Sequence, residues 1–155
     1  MIIAVDRTLL EPGTFMENFL PSMAYMFPRG IDGGLVTVIN PQTRLSLVAV
    51  DDIGRSAAAA IIEPERFDGV ELELASDYLS MTEIAAVLSR VLTTELSAPD
   101  MTEEQARAAG MPAMGAALEW LNAADQPGRP EYATDLGIPL TSFEEWASKY
   151  MSATT

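Results

Sequence analysis

The sequence predicts a mixed α/β domain, and three observations carry that prediction. Residues 2–10 place Ile2, Ile3, Val5, Leu9 and Leu10 in imperfect alternation with polar residues and stop at Pro12-Gly13, the pattern of a strand closed by a turn. Val70, Leu72 and Leu74 alternate with Glu71 and Glu73, which marks a strand with one wet or polar-contacting face. Ser80-Met81-Thr82-Glu83 is a capping box, and Ile84, Val87, Leu88, Val91 and Leu92 follow on one helical stripe. Strands in the first half and helices in the second are the signature of a sheet covered by helices.

The remaining elements follow in order. From Thr14, a plausible cap, Phe15, Phe19, Met23 and Met26 recur at helical spacing, which predicts a helix. Pro21 predicts a kink or restart within it, because proline lacks the amide hydrogen and clashes with the preceding turn. Residues 29–34 form a glycine-rich loop. Leu35–Ile39 and Leu45–Val50, joined through Asn40-Pro41-Gln42-Thr43, predict a β-hairpin. Asp51 or Asp52 then caps an alanine-rich helix to about Ile62, whose small side chains allow close approach to a sheet. After the capping-box helix come Thr102–Ala109, ended by Gly110, and Pro112–Ala124, with Met114, Ala117, Leu118 and Leu121 inward. Gln126–Pro130 is a turn-rich connector, and a last helix opens near Thr141-Ser142 with Phe143, Trp146 and Tyr150.

Composition excludes several chemistries. A chain of 155 residues that is 48% apolar can bury a sizeable core and is expected to form one domain over 1–155. With no cysteine there is no disulfide or thiolate chemistry, and with no histidine the commonest general base and transition-metal ligand are missing. Proton transfer would fall to Asp, Glu, Tyr, the single Lys149 or water. Nine scattered cationic residues against 23 acidic ones argue against nucleic acid and anionic membrane surfaces. No apolar run approaches the roughly 18 residues of a membrane span, and no signal peptide is recognised, so a cytoplasmic location is expected.

Leu9-Leu10-Glu11-Pro12-Gly13-Thr14-Phe15-Met16-Glu17-Asn18, Val50-Asp51-Asp52-Ile53-Gly54-Arg55 and Ser142-Phe143-Glu144-Glu145-Trp146-Ala147, in that order and spacing, resemble the later half of NmrA-like proteins, the atypical short-chain dehydrogenase/reductases. The resemblance implies a truncated Rossmann-like fold with a short parallel sheet, in which residues 2–10 and 70–76 are neighbouring strands. It also implies that the dinucleotide-binding half is lacking. Where the family usually carries a tryptophan early in the first strand and an arginine before Pro-Gly, this sequence has Arg7 and Glu11, at the wall of the family's nicotinamide pocket. Neither Gly-x-Gly-x-x-Gly nor Gly-x-x-Gly-x-x-Gly opens a helix here; Gly30, Gly33 and Gly34 precede an expected strand. The family's Tyr-x-x-x-Lys pair is also absent, since Tyr25 is followed four residues on by Arg29, across Pro28. The expectation is therefore no cofactor-binding residue and no metal ligand, with NAD(P) entering only if a partner chain supplies the glycine-rich loop.

What the resemblance leaves is the substrate-facing segment, which maps to Gly13, Thr14, Phe15, Met16 and Asn18. By spacing alone, Phe15, Phe19, Met23 and Met26 read equally well as core. Glu11 is the candidate catalytic residue: a carboxylate at the end of a buried strand should have its pKa raised by desolvation. It could instead pair with Arg7 or Arg44, or reach solvent. Glu17 is a possible second carboxylate, although a helix-surface position suits it equally. Tyr25 and Tyr78 are candidate hydrogen-bond donors to a carbonyl, or half-buried packing residues. The expected function is binding of a small apolar or aromatic ligand, with redox-neutral cyclase, isomerase or dehydratase chemistry. Two alternatives stand beside it, a non-catalytic sensor module and one subunit of a split NAD(P)-dependent reductase. A sheet edge left bare predicts a homodimer or other obligate oligomer.

Overall fold

The computed structural model describes residues 7–152, so Ile2, Ile3 and Val5 of the expected first strand lie outside the described residues. Five strands and six α-helices follow: β1 (Leu9–Pro12), β2 (Thr14–Phe15), β3 (Arg44–Val48), α1 (Val50–Ile62), α2 (Pro64–Phe67), β4 (Glu71–Leu74), β5 (Asp77–Ser80), α3 (Met81–Leu92), α4 (Glu103–Ala108), α5 (Pro130–Thr134) and α6 (Phe143–Tyr150). Four 3-10 segments, at Met16–Phe19, Pro21–Met23, Ile31–Gly33 and Ala113–Asn122, are the remaining helical elements among the described residues. The fold class is the mixed α/β arrangement that the sequence predicts.

β1 and β4 pair in parallel, with Leu10 opposite Leu72 and Glu11 opposite Glu73. β3 lies between β2, parallel to it, and β5, antiparallel to it. Gly13 is the step from one sheet to the other: its N–H donates to Leu74 O at 3.0 Å. A Cβ there would run into the carbonyl oxygen of Ser46 on β3, so only glycine allows this approach. The same step recurs after β4, where Ser76 N donates to Leu47 O at 2.6 Å.

Three apolar clusters hold the layers together, of which the smallest joins Val36 and Val38 to Ala106 and Met111 and the other two flank the strands. The larger gathers Met16, Phe19, Leu45, Leu47, Ile84, Leu88, Phe143 and Trp146 between the β3 sheet and α3 and α6. Phe143 meets Phe19 edge-on at 5.3 Å and stacks on Trp146 at 5.6 Å between ring centroids. The second unites Val48, Phe67, Leu72, Leu74, Ala133 and Ile138 around β4 and α5. The capping box of α3 forms as expected: Glu83 N donates to Ser80 Oγ at 3.2 Å, and Ser80 N to Glu83 Oε2 at 2.7 Å. Thr102 with Gln105 and Ser142 with Glu145 repeat the device at α4 and α6.

Several local expectations are corrected. The strand does not stop before Pro12 but includes it, and β1 is largely solvent-exposed, because it pairs on one side only among the described residues. The helix expected from Thr14 does not form. Thr14-Phe15 is drawn into pairing with Leu47-Val48, Pro21 restarts the chain as a second 3-10 turn, and Ala24 closes that turn in the left-handed region at φ 51°. Met16, Phe19 and Met26 are buried, whereas Phe15 and Met23 are exposed. The hairpin expected over 35–50 is absent: Leu35–Ile39 carries no strand, and the antiparallel partner of β3 is β5. Residues 113–122 wind as a 3-10 helix, whose three-residue turn rotates Met114 outward to 74% exposure while Leu121 stays buried.

Asp51 and Asp52 are not N-caps, since Ala49 holds that position without a side-chain cap. Asp52 is fully buried and acts as a junction. Its carboxylate accepts from Ser76 Oγ, from Thr141 N at 2.8 Å and from Thr141 Oγ1 at 3.0 Å, and it pairs with Arg55. The N-terminus of α1 is capped from outside instead. Glu17 accepts from Val50 N at 3.2 Å and from the Trp146 indole Nε1 at 3.0 Å, so it is a structural tie rather than an idle surface acid.

Candidate functional site

β1 and β4 run in the same direction, and both end at one cavity. Crevices at the carboxyl ends of parallel strands are where α/β folds hold ligands, because the strand-to-helix loops diverge there. The cavity measures about 300 Å³ and is lined by Glu11, Pro12, Gly13 and Thr14 from the β1–β2 segment, Glu73 from β4, Ser46 from β3, and Trp120, Leu121 and Asp125 to Gly128 from the connector. That volume suits a molecule of about ten to twenty non-hydrogen atoms.

The connector is fastened to β3 by its own backbone and side chain. Ser46 N donates to Gln126 Oε1 at 3.0 Å, and Ser46 Oγ donates to Gly128 O at 2.8 Å. Gln126 thus serves Ser46, which is the register partner of Tyr78 on β5 and comes one residue before the pairing with β2 begins at Leu47. Gly128 is buried against Ala75 and Ser46, where a Cβ would sit 3.2 Å from either Cβ. Arg129 completes the clasp: its guanidinium stacks 3.6 Å from the centre of the Tyr78 ring and donates to Gly128 O at 2.7 Å.

Two carboxylates meet on the cavity wall. Glu11 and Glu73 are register partners on adjacent strands, so their side chains leave the same face. Glu11 is exposed rather than buried, because β1 is an edge strand. The carboxyl of Glu73 is raised above its ordinary value, first by desolvation and then by the charge of Glu11 beside it. No arginine or lysine lines the cavity among the described residues.

The structure brings three of the candidate residues, Glu11, Gly13 and Thr14, together in this cavity. Phe15 points to solvent on β2, Met16 lies in the larger core, and Asn18 is part of the first 3-10 turn, outside the lining. Tyr25 packs half-buried against the larger core, and the Tyr78 ring lies against the guanidinium groups of Arg44 and Arg129. Glu73, Trp120 and Gln126 are among the lining residues that sequence reasoning missed, with Ser46, Asp125 and Gly128. Glu73 had a signal in the wet face of its alternating strand. Gln126 had none beyond its place among prolines and glycines.

An α/β module with a ligand-sized cavity at the carboxyl ends of its parallel strands belongs with the Rossmann-like folds. The NmrA-like family matches residues 5–145, and the chain belongs to that family. Among solved structures it is similar to NmrA, a negative transcriptional regulator, in complex with NADP, at 15% identity and a TM-score of 0.67 over 99% of this chain and 56% of that one. The same regulator in complex with NAD gives a TM-score of 0.65 at 15% identity, over 95% of this chain and 53% of that one. A nucleoside-diphosphate-sugar epimerase from Staphylococcus aureus gives 0.62 at 18% identity, over 93% and 52%. The chain therefore spans about half the length of the solved structures it matches. Comparison with curated proteins found no match.

The residues of this cavity do not fit a dinucleotide such as the NAD or NADP bound by that regulator. A pyrophosphate needs backbone amides at a helix N-terminus or cationic side chains. The lining offers neither and presents Glu11, Glu73 and Asp125 instead.

Proposed function

We propose that this chain is the ligand-binding module of an NmrA-like protein and takes a small aromatic molecule in the cavity at the ends of β1 and β4. The observation that carries this reading is the cavity itself, where apolar surface from Pro12, Trp120, Leu121 and Pro127 surrounds a few fixed polar groups. That mixture gives a small ligand both burial and orientation. Trp120, 62% exposed at the rim, offers an indole face to an aromatic ring.

The Glu11–Glu73 pair supports redox-neutral proton transfer as the chemistry of the site. The Glu73 carboxyl, raised above its ordinary value, is the proton donor of such a pair, and a neighbouring carboxylate is a proton acceptor. Lack of a cradle for pyrophosphate argues against hydride transfer by these residues alone.

An amide-resolved NMR screen with a library of aromatic fragments tests the reading. Fragments should shift the amides of Gly13, Thr14 and Gly128 and the indole resonance of Trp120 as one group. Shifts scattered over the surface, or confined to another face, would overturn it.

A further inference from the structure

β1 carries an open row of backbone groups along its outer side. Leu9 N donates to Val70 O, Gly13 N donates to Leu74 O, and Arg7 O accepts from Gly69 N. Alternation along the strand therefore turns the backbone of Arg7, Leu9 and Glu11 toward β4. The N–H and C=O groups of Thr8 and Leu10 point the other way, where they have no partner among the described residues. Such an edge is a template for another strand.

The side chains indicate which strand it takes. Arg7, Leu9 and Glu11 alternate onto one face of the sheet, and all three are exposed, Leu9 by 44%. A cation and an anion thus stand two residues to either side of an apolar centre. Turned about a two-fold axis at Leu9, this segment is complementary to itself. Leu9 faces the partner's Leu9, and Arg7 of each copy faces Glu11 of the other. Thr8 then lies opposite the partner's Leu10, and these are the residues whose backbone groups point outward, so they bond in pairs. The Leu9 and Arg7–Glu11 contacts fall at the non-bonded positions between them, where opposed side chains approach most closely.

Pro12 excludes the neighbouring register. With Leu10 opposite the partner's Leu10, Pro12 would lie opposite Thr8, and its missing N–H would remove a bond at each end. Centred on Leu9, the ladder closes before Pro12 is reached. The opposite shift, with Thr8 facing the partner's Thr8, takes Arg7 away from Glu11.

We propose that the chain forms a two-fold dimer through β1, antiparallel and centred on Leu9, with Arg7 of each copy paired to Glu11 of the other. Two-fold assembly is the commonest closed symmetry. Arg7 is already held over this face by Glu71 on β4, at 2.6 Å, and its fork has donors to spare. Because Glu11 lines the cavity, the partner's Arg7 stands at its wall, and the cavity is bordered by both copies.

Sedimentation of the full chain and of charge-swapped variants tests this. The wild type should be a dimer at micromolar concentration. Arg7→Glu sets a carboxylate against Glu11 at both contacts, and Glu11→Arg sets a guanidinium against Arg7. Each variant alone should self-associate about tenfold more weakly or worse. Mixed in equal amounts, the two restore both opposite-charge pairs and should form a heterodimer close to wild-type affinity. Both side chains are exposed, so the variants fold, which the urea midpoint verifies. The sequence has no cysteine, so Leu9→Cys introduces a single thiol. It should oxidise to a disulfide-linked dimer across the axis, whereas Glu104→Cys, exposed on α4, should not. A monomeric wild type, which would leave the edge to a strand of some other polypeptide, would overturn the proposal. So would single variants that dimerise as tightly as the wild type, a mixture of folded variants that stays monomeric, or Leu9→Cys that cross-links no better than Glu104→Cys.

Discussion

Asp52 shows how far a side chain can depart from the role its position suggests. At the start of an alanine-rich helix an aspartate reads as a cap, yet here it is fully buried and ties α1 to the turn after β4 and to Thr141. Asp52→Ala should cost about 3–5 kcal/mol, because it leaves Arg55 and the Thr141 amide without their acceptor. Urea denaturation measures this, and a loss below 1 kcal/mol would contradict the junction. Glu73 predicts the opposite sign. Its folded pKa is raised, so the folded state binds more protons and stability falls as pH rises through the ordinary carboxylate range. Glu73→Gln should therefore stabilise the protein at pH 7, by up to about 1 kcal/mol, and have little effect at pH 3.5. A destabilised variant at pH 7 would mean that the carboxylate is needed for packing. Neither role was legible in the sequence, because both depend on which strand lies opposite, and that is a long-range fact.

At the scale of elements, legibility follows how local the signal is. The capping boxes of α3, α4 and α6 close over four residues, and Ser80-x-x-Glu83 is visible in the sequence and present in the structure. The segment after Gly13 has helical spacing and forms none of the expected helix, because pairing with β3 and the restart at Pro21 outweigh a weak propensity. The spacing of residues 112–124 predicts a helix, but the 3-10 winding of Ala113–Asn122 sends a different set of side chains inward. The capping acids also make a pH prediction. Glu83 and Glu145 are held below their ordinary pKa chiefly by the backbone amides they cap, so their contribution is present at neutral pH. It is lost as pH falls below roughly 4.3 toward the folded values. The gap in urea midpoint between the wild type and Glu83→Gln should close between pH 6 and pH 3; a constant gap would assign the effect to something other than the ionised cap.

For the whole molecule, the parallel pairing of the first strand with residues 71–74, implied by the family resemblance, is the relation that shapes the cavity. Composition and periodicity gave the class; the resemblance gave the neighbouring strands; the connector that closes the cavity was invisible, since Gln126 reaches β3 across 80 residues of sequence. β1 exposes Leu9 and is paired on one side only among the described residues. Such an edge invites a second copy. Sedimentation at micromolar concentration should show a dimer, and Leu9→Lys should shift it toward monomer. A monomeric wild type would mean that the edge is covered in some other way.

The most direct test of the cavity as a small-molecule site unsuited to a dinucleotide is one NMR titration in which NADP is added first and an aromatic fragment such as 4-ethylphenol second. NADP should leave Gly13, Thr14, Gly128 and the Trp120 indole unmoved, and the fragment should then shift all four together. Saturable shifts of those four resonances by NADP, with no further change on adding the fragment, would contradict it.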